Sequence, residues 1–129
     1  MVRILIVEDD DEMRDLLKDF LLQEGVEADS AENGSEAFRK LARGSFDLVI
    51  TDIQMPGLTG LEILPGIKQL QPEASIIVMT AFGSEEVRRR SLNGGCTAFL
   101  EKPVPLDQLR TVIHEIASAK EKGGRRVSA

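Results

Sequence analysis

The sequence predicts an α/β fold with a doubly wound, five-stranded parallel sheet and helices on both faces. Short, continuously apolar segments alternate five times with segments of helical period. Strands that alternate with helices pair in parallel through right-handed crossovers. A third observation concerns polarity: polar side chains, several of them acidic, follow the apolar segments at the points where strands would end. The pattern therefore predicts both the sheet and the edge at which its strands end.

The first strand and the first helix have clear signals. Residues 4–7, "ILIV", form a continuous apolar run rich in β-branched residues, which is typical of a strand buried on both faces. From there the apolar residues recur at spacings of three and four, which predicts a helix with its apolar face at Met13, Leu16, Leu17, Phe20 and Leu21. Gly25 is predicted to end this helix.

The second unit combines a weak strand with a well-marked helix. Residues 26–28 are long enough only for a short strand. Asn33 is a favourable N-cap for a helix over residues 34–43, with Ala37, Phe38 and Leu41 on its apolar face. Gly44 is predicted to end this helix.

The third unit contains one conflict with local rules. Residues 47–51, "DLVIT", predict a buried strand, and residues 60–70 have helical period. Pro65 and Gly66 lie inside that helical segment, where proline costs about 3 kcal/mol in a helix interior. We therefore expect either a kink or a helix that begins late.

The fourth and fifth units complete the alternation. Residues 75–80, "SIIVMT", predict a buried strand, and Ser84 is a candidate cap for a helix that ends before Gly94. Residues 97–100, "TAFL", predict the fifth strand. The last helix carries an apolar stripe at Leu106, Leu109, Val112, Ile113 and Ile116. We expect one domain over residues 1–121, and a flexible tail or the start of a linker over 122–129.

Composition limits the classes of protein that remain. The chain has 129 residues and is 42% hydrophobic, as an ordinary globular domain is. No apolar stretch approaches the roughly 18 residues of a membrane span, and no signal peptide is recognisable, so we expect a cytoplasmic protein without membrane contact. The net charge of −6 disfavours direct binding of nucleic acid. Cys96 is the single cysteine and is interpreted as a small buried residue.

Polar side chains meet at one edge of the predicted sheet. Glu8 and Asp9 follow the first strand, Asp52 follows the third, Thr80 ends the fourth and Lys102 follows the fifth. In an open parallel sheet, ligands bind at the carboxyl ends of the strands, at the switch point where the strand order reverses. A strand order of 2-1-3-4-5 makes the first and third strands neighbours, so Asp9 would face Asp52.

This set of side chains predicts a particular chemistry. Clustered carboxylates repel one another unless a cation or a proton joins them, and an all-oxygen acidic site suits Mg²⁺. Neither cysteine nor histidine lies near this edge, which disfavours zinc. With Lys102 as a positive charge and Thr80 as a hydroxyl donor, the site suits a phosphoryl group held on an aspartate. Taken singly, the acids could cap a helix and Thr80 could be an ordinary strand end; their coincidence at one switch point favours a functional site.

The residues also carry a family resemblance. The segments "ILIVEDDDEMRDLL", "DLVITDIQMPGLTGLEIL", "IIVMTAFG" and "AFLEKPV" resemble a response-regulator receiver domain of two-component signalling, over about residues 2–120. The fold that this implies is the flavodoxin-like receiver fold. The resemblance implies that Asp52 accepts a phosphoryl group from a histidine kinase or a histidine phosphotransfer protein.

The resemblance also assigns roles to the other site residues. It implies that Glu8, Asp9, Asp52 and the backbone carbonyl of Gln54 bind Mg²⁺. It makes Thr80 the switch hydroxyl, Lys102 the partner of the phosphoryl group, and the Lys102–Pro103 peptide bond cis. The first acid is Glu8 rather than the commoner aspartate, so Asp9 is the better candidate for a direct ligand.

Signal output is likewise implied only by the resemblance. Phe99 would turn inward when Thr80 moves, and the face formed by helix four, strand five and helix five would signal to a partner or an attached output domain, or form a phosphorylation-dependent homodimer. The basic residues 88–90 would contact a partner there, although a solvated helix face is the simpler interpretation. Gln54 and Phe82 lie where the family tunes autodephosphorylation; neither is acidic, so we expect a longer phosphoryl lifetime than in fast chemotaxis-type members.

Other classes of protein fit less well. The only enzymatic activity that we expect is autocatalytic phosphorylation and dephosphorylation of Asp52. A Mg²⁺-dependent phosphatase of the haloacid-dehalogenase type would have a second aspartate where Gln54 stands. A non-phosphorylated interaction module would lack the acceptor, the acids or the lysine. A flavin-nucleotide binder would have Ser, Thr and Gly after the first strand. His114 is interpreted as a surface residue.

Overall fold

The computed structural model describes residues 1–55, 58–59, 62–81 and 83–123, with the backbone alone for residues 55, 58, 59 and 123. Phe82, for which a role was predicted from the sequence, lies outside this part. Five parallel strands form one sheet in the order β2-β1-β3-β4-β5. The strands are β1 Arg3–Val7, β2 Glu27–Ala31, β3 Leu48–Asp52, β4 Ser75–Thr80 and β5 Ala98–Glu101. The predicted fold class and strand order are confirmed.

In the part of the chain that the structure describes, five helices cover the two faces of the sheet. They are α1 Asp11–Gln23, α2 Gly34–Arg43, α3 Ile63–Leu70, α4 Glu85–Asn93 and α5 Leu106–Gly123. A short antiparallel ribbon pairs Gln54–Met55 with Leu58–Thr59 directly after β3. Among the residues described, no helix has the length and apolar character needed to cross a lipid bilayer.

Alternation along the central strands produces two separate cores. Leu5, Val7 and Val49 point to one side of the sheet, where they pack with apolar residues of α2 and α3. Ile4, Ile6 and Ile50 join the other core with residues of α1 and α5. Because successive side chains of a strand point to opposite faces, a strand covered on both sides must be apolar throughout. This requirement explains the uninterrupted apolar runs of β1 and β3.

Three helices begin at side-chain caps, and the sequence predicts two of them, Asn33 and Ser84. The Asp10 side chain accepts hydrogen bonds from the backbone N–H groups at the start of α1. Asn33 Oδ1 accepts from the Glu36 N–H at 2.8 Å, and Ser84 Oγ accepts from the Val87 N–H at 3.1 Å. Each cap satisfies donors that have no partner within the helix. The backbone then leaves α1 at Gly25, whose φ of 76° is readily adopted only by glycine.

The proline in α3 is accommodated by a late helix start. The helix begins at Ile63, so Pro65 is its third residue. At this position the missing proline N–H would have had no acceptor within the helix. The neighbouring Gly66 permits close packing, because a Cβ at this position would lie 2.7 Å from the Phe38 ring of α2. Of the two expectations for this segment, the late start is the one that the structure bears out.

Two local predictions differ from the structure. The strand predicted at residues 26–28 instead runs over Glu27–Ala31, because the polar residues Asp29 and Ser30 also pair with β1. Two acceptors of this edge strand are satisfied by Lys40 of α2, which donates to Asp29 Oδ1 at 2.9 Å and to the Ser30 carbonyl at 2.6 Å. The placement of Leu16 on the apolar face of α1 was wrong. Its side chain is 49% exposed, because the buried stripe is centred on Leu17, Phe20 and Leu21.

Helix α4 is the most polar of the five helices. Ser91 is its one fully buried residue, and the Ser91 hydroxyl donates to the Val87 carbonyl within the same helix at 2.8 Å. Val87 is only partly buried against the core. The three arginines at 88–90 are exposed. The helix therefore contributes little apolar burial to the fold.

Candidate functional site

The carboxyl edge of the sheet, where the five strands end, carries the site residues that the sequence predicts. Glu8 and Asp9 follow β1, and Asp52 is the last residue of the neighbouring β3. Thr80 is the last residue of β4, and Lys102 follows β5. The Lys102 N–H donates to the Thr80 carbonyl at 2.8 Å, which extends the pairing of β4 and β5 up to the site.

Three carboxylates converge at this edge. One oxygen from each of Glu8, Asp9 and Asp52 lies within 4.8 Å of the other two. Glu8 is 0% exposed and Asp52 is 5% exposed, whereas Asp9 is open to solvent. The juxtaposition follows from the strand order, because β1 and β3 are adjacent at the switch point.

Lys102 partly balances the two buried acids. Its Nζ donates to Glu8 Oε1 at 2.5 Å and to Asp52 Oδ2 at 2.8 Å. Burial alone would lower the pKa of Lys102, but the hydrogen bonds to Asp52 and Glu8 raise it above its ordinary value. The lysine therefore stays charged, and one positive charge faces three carboxylates.

Glu8 sits in an environment that disfavours its charge. Burial, together with the nearby charge of Asp52, raises its pKa above the ordinary value, while hydrogen bonds from Lys102 and the Asp10 N–H act in the opposite direction. The longer glutamate side chain reaches Lys102 directly. This contact adds a role to Glu8 that the sequence did not suggest, beside its predicted role toward a metal.

Gln54 makes two contacts in the site. Its backbone N–H donates to Asp52 Oδ1 at 2.8 Å. Its side-chain Oε1 accepts a hydrogen bond from the Thr80 hydroxyl, also at 2.8 Å. Thr80 is fully buried, so this hydroxyl is held inside the protein beside the acidic cluster. The family resemblance implied a role for the Gln54 carbonyl, and the side-chain contact was not predicted.

Arg14 is a further residue at the site that sequence reasoning missed. Its guanidinium donates to the Glu8 carbonyl at 2.9 Å and pairs with the Asp11 carboxylate. It thereby fixes the backbone that presents the first two acids. The spacing of Asp11 and Arg14 was a visible signal for the ion pair, but nothing in the sequence indicated the carbonyl contact.

Phe99 lies beside the carboxyl edge, in β5. It is half-buried and packs against the same core as Val87. A Cβ on Gly83 would lie 3.1 Å from the Phe99 ring, so the ring lies directly beside the backbone of Gly83, shortly before α4. The Lys102–Pro103 peptide bond is cis, as the resemblance implied.

The remaining candidates lie away from this edge. His114 is exposed on α5, with Nε2 3.2 Å from Glu24 Oε1. Cys96 is buried, and burial raises the pKa of its thiol. Neither residue contacts the acidic cluster in the part of the chain that is described.

The donor set of the carboxyl edge fits Mg²⁺. Mg²⁺ prefers oxygen ligands, accepts one or two carboxylates and keeps several waters. Glu8, Asp9 and Asp52 supply carboxylate oxygens close enough to share one ion, and the exposed side at Asp9 leaves room for water. The Gln54 carbonyl stays a predicted ligand.

Comparison with known proteins decides the family. The family model for the response regulator receiver domain matches residues 4–114, most of the chain. The chain belongs to this family. The receiver domain is 38% identical over 114 residues to the chemotaxis protein CheY of Bacillus subtilis, covering 88% of this chain and 95% of CheY. It is 37% identical to the response regulator protein PilR of Pseudomonas aeruginosa, covering 86% of this chain and 25% of PilR.

A solved structure extends the similarity to three dimensions. The response regulator TrrA of Thermotoga maritima, solved in complex with Mg²⁺ and BeF, matches the receiver domain with a TM-score of 0.79 at 39% identity. The match covers 90% of this chain and 99% of TrrA. The chain is thus a receiver domain of two-component signal transduction. It spans nearly all of CheY but only a quarter of PilR.

Proposed function

We propose that this receiver domain accepts a phosphoryl group on Asp52 in a Mg²⁺-dependent reaction and passes the signal to a partner or an attached output domain. The position of the Asp52 carboxylate carries the proposal. It is nearly buried at the switch point, and its Oδ2 lies 2.8 Å from Lys102 Nζ. Oxygens of two further acids lie within 4.8 Å.

The phosphoryl donor would be a phosphohistidine on a histidine kinase or on a histidine phosphotransfer protein. A carboxylate oxygen of Asp52 attacks the phosphorus, and the bond between phosphorus and the histidine nitrogen breaks. The electron pair of that bond stays on the imidazole nitrogen. The product is an acyl phosphate on Asp52 and a free histidine on the donor.

The residues around Asp52 would stabilise the charge that arrives. Phosphorylation adds about −1.5 to −2 charges and three acceptor oxygens. Lys102 lies within hydrogen-bond reach and carries three N–H donors. Glu8, Asp9, Asp52 and the Gln54 carbonyl would hold Mg²⁺, which supplies the remaining positive charge when bound.

Signal output would begin at Thr80. If its hydroxyl turns to donate to a phosphoryl oxygen, the core beside Phe99 changes, because Thr80 ends β4 and the Phe99 ring lies beside Gly83, three residues further along the chain. We infer that Phe99 then turns inward and alters the face formed by α4, β5 and α5. The exposed arginines at 88–90 lie on α4 and would contact the partner there. A homodimer through this face is one form that the output could take.

The test uses acetyl phosphate as a small phosphodonor. The chain is incubated with acetyl phosphate and Mg²⁺, and its intact mass is followed over time. We expect the gain of one phosphoryl group, lost in Asp52→Asn and after removal of Mg²⁺ by EDTA. Asp47→Asn, which neutralises an aspartate immediately before β3 at the opposite edge of the sheet, is the matched control and keeps the gain.

Each other outcome would contradict the proposal in a recognisable way. Continuous release of phosphate over many turnovers would indicate a phosphatase, and no gain at all would indicate a non-phosphorylated interaction module. Decay of the phosphorylated mass also tests the predicted lifetime. A half-life of seconds would contradict the long lifetime that we expect from a site without an acid at Gln54 or Phe82.

A further inference from the structure

Gln54 links the predicted phosphoacceptor to the buried hydroxyl of Thr80. Its backbone N–H donates to Asp52 Oδ1, while its side-chain Oε1 accepts from Thr80 Oγ1, each at 2.8 Å. The Gln54 side chain is exposed, whereas Thr80 is fully buried. The two contacts use separate parts of one residue, so a substitution can remove the side-chain contact and leave the backbone contact in place.

The Thr80 contact has a consequence for any phosphoryl group on Asp52. A threonine hydroxyl has a single proton to donate. While that proton is shared with Gln54 Oε1, it cannot be donated to a phosphoryl oxygen. Lys102 differs, because an ammonium group has three donors and can bind a new acceptor while keeping Glu8 or Asp52. Of these two donors, only Thr80 must exchange its partner.

We propose that Gln54 is a positioning residue. In the unphosphorylated receiver its side-chain amide holds the Thr80 hydroxyl, and this contact weakens the binding of phosphoryl-like groups at Asp52. This inference rests on the proposed function of Asp52. A charged phosphoryl oxygen is a stronger acceptor than a neutral amide oxygen, so it can take the proton. It does so at the expense of the existing hydrogen bond, which lowers the apparent affinity on the order of three- to tenfold.

The probe is beryllofluoride with Mg²⁺, which mimics a phosphoryl group on an aspartate without the transfer step. Its affinity is measured for the wild-type chain, Gln54→Met, Thr80→Val and the double variant. Methionine has nearly the length of glutamine but no amide oxygen, and the substitution keeps the backbone N–H at position 54. Gln69→Met, at an exposed position of α3, is the matched control, and thermal melts check the fold of every variant.

We expect Gln54→Met to bind beryllofluoride about three- to tenfold more tightly, and Gln69→Met to bind like the wild type. Thr80→Val should bind more weakly, because it lacks the hydroxyl. In that background the further change Gln54→Met should have no effect, since no hydroxyl proton remains to be held. This non-additivity is a readout that a merely structural role of Gln54 would not produce.

Other results would overturn the inference. Unchanged or weaker binding by Gln54→Met contradicts it, and so does an equal gain in affinity in the Thr80→Val background. A wild-type chain that does not bind beryllofluoride, or an Asp52→Asn variant that binds as tightly as the wild type, contradicts the proposed function of Asp52 itself. The two failures are therefore distinguishable.

Discussion

The amino and carboxyl edges of the sheet both contain polar side chains, but the balance of charge differs between them. At the amino edge, where the strands begin, the Gln71 amide donates to the carbonyls of Leu41 and Gly44 and accepts from the Phe46 N–H. Asp47 there accepts from the Arg3 N–H and from Lys120. At the carboxyl edge, three carboxylates lie close together, and Lys102 pairs with two of them, Glu8 and Asp52.

This difference separates polar groups that stabilise the fold from those that prepare a reaction. A group that stabilises the fold satisfies its neighbours within the chain. The carboxyl edge instead keeps an excess of negative charge close together, which costs stability unless a cation enters. The contrast predicts that substitutions at the two edges affect stability and ligand binding separately.

The largest effect on stability is expected at the amino edge. Gln71→Ala removes the partners of three backbone groups and should lower the free energy of unfolding by about 2 kcal/mol. Urea denaturation measures this loss, and phosphoryl uptake per folded molecule should be unchanged. Gln69→Ala, on α3 two residues before Gln71, is the control and should change stability by less than about 0.5 kcal/mol. A similar loss of stability in both variants would contradict the role assigned to Gln71.

Addition of Mg²⁺ should stabilise the chain through the carboxyl edge alone. At ten times its Kd, an ion that binds only the folded state adds about 1.4 kcal/mol. We expect this gain for the wild type and its loss in Asp9→Asn, measured by urea denaturation against Na⁺ at matched ionic strength. Glu12→Gln, which neutralises an exposed acid on α1, should keep the gain. Equal stabilisation of both variants would argue against a specific site.

An Asp→Asn substitution at the end of β3 and one immediately before β3 should have opposite effects on stability in metal-free protein. Asp52→Asn relieves repulsion among the three acids, and Lys102 keeps Glu8, so we expect stabilisation by about 1 kcal/mol. Asp47→Asn weakens contacts to Arg3 and Lys120 and should destabilise by about 1 kcal/mol. Both are measured by denaturation in EDTA. A change of the same sign in both variants would contradict the contrast between the edges.

The smallest effect concerns a balanced ion pair away from both edges. Burial raises the pKa of Asp29, but hydrogen bonds from Lys40 and the Ser30 N–H outweigh this and leave it below its ordinary value. A carboxylate with a lowered pKa stabilises the folded state above its unfolded pKa, and that stability is lost as the pH falls below about 4. Lys40→Met should reduce this loss of stability at acid pH. If the dependence of stability on pH is unchanged in this variant, the ion pair has no net effect on stability.

Most of the fold could be predicted because it follows from local rules. Continuous apolar runs identified β1 and β3, and the side chains of Asn33 and Ser84 identified helix starts. The prediction for the edge strand β2 was too short because Asp29 and Ser30 are typical loop residues. The backbone nevertheless pairs with β1 at these positions, regardless of the side chains. Leu16 was misplaced because spacings of three and four do not define the borders of a buried stripe.

The candidate site likewise has features that the sequence predicts and features that it does not. The topology alone brings Glu8, Asp9 and Asp52 together, since strand ends of a parallel sheet share an edge. The contacts from Lys102 to Glu8 and from Thr80 to Gln54 depend on how long side chains cross between loops. No period or spacing in the sequence encodes such rotamers, so these contacts emerge only from the structure.

The polar character of α4 has a consequence for the dynamics of the native state. Detaching this helix would expose little apolar surface, because Ser91 is its only fully buried residue. The free energy of local opening should therefore be lower for α4 than for α1, which buries Leu17, Phe20 and Leu21. In native-state hydrogen exchange, the amides of Glu85–Asn93 should exchange well before those of α1, even when the rest of the domain stays closed.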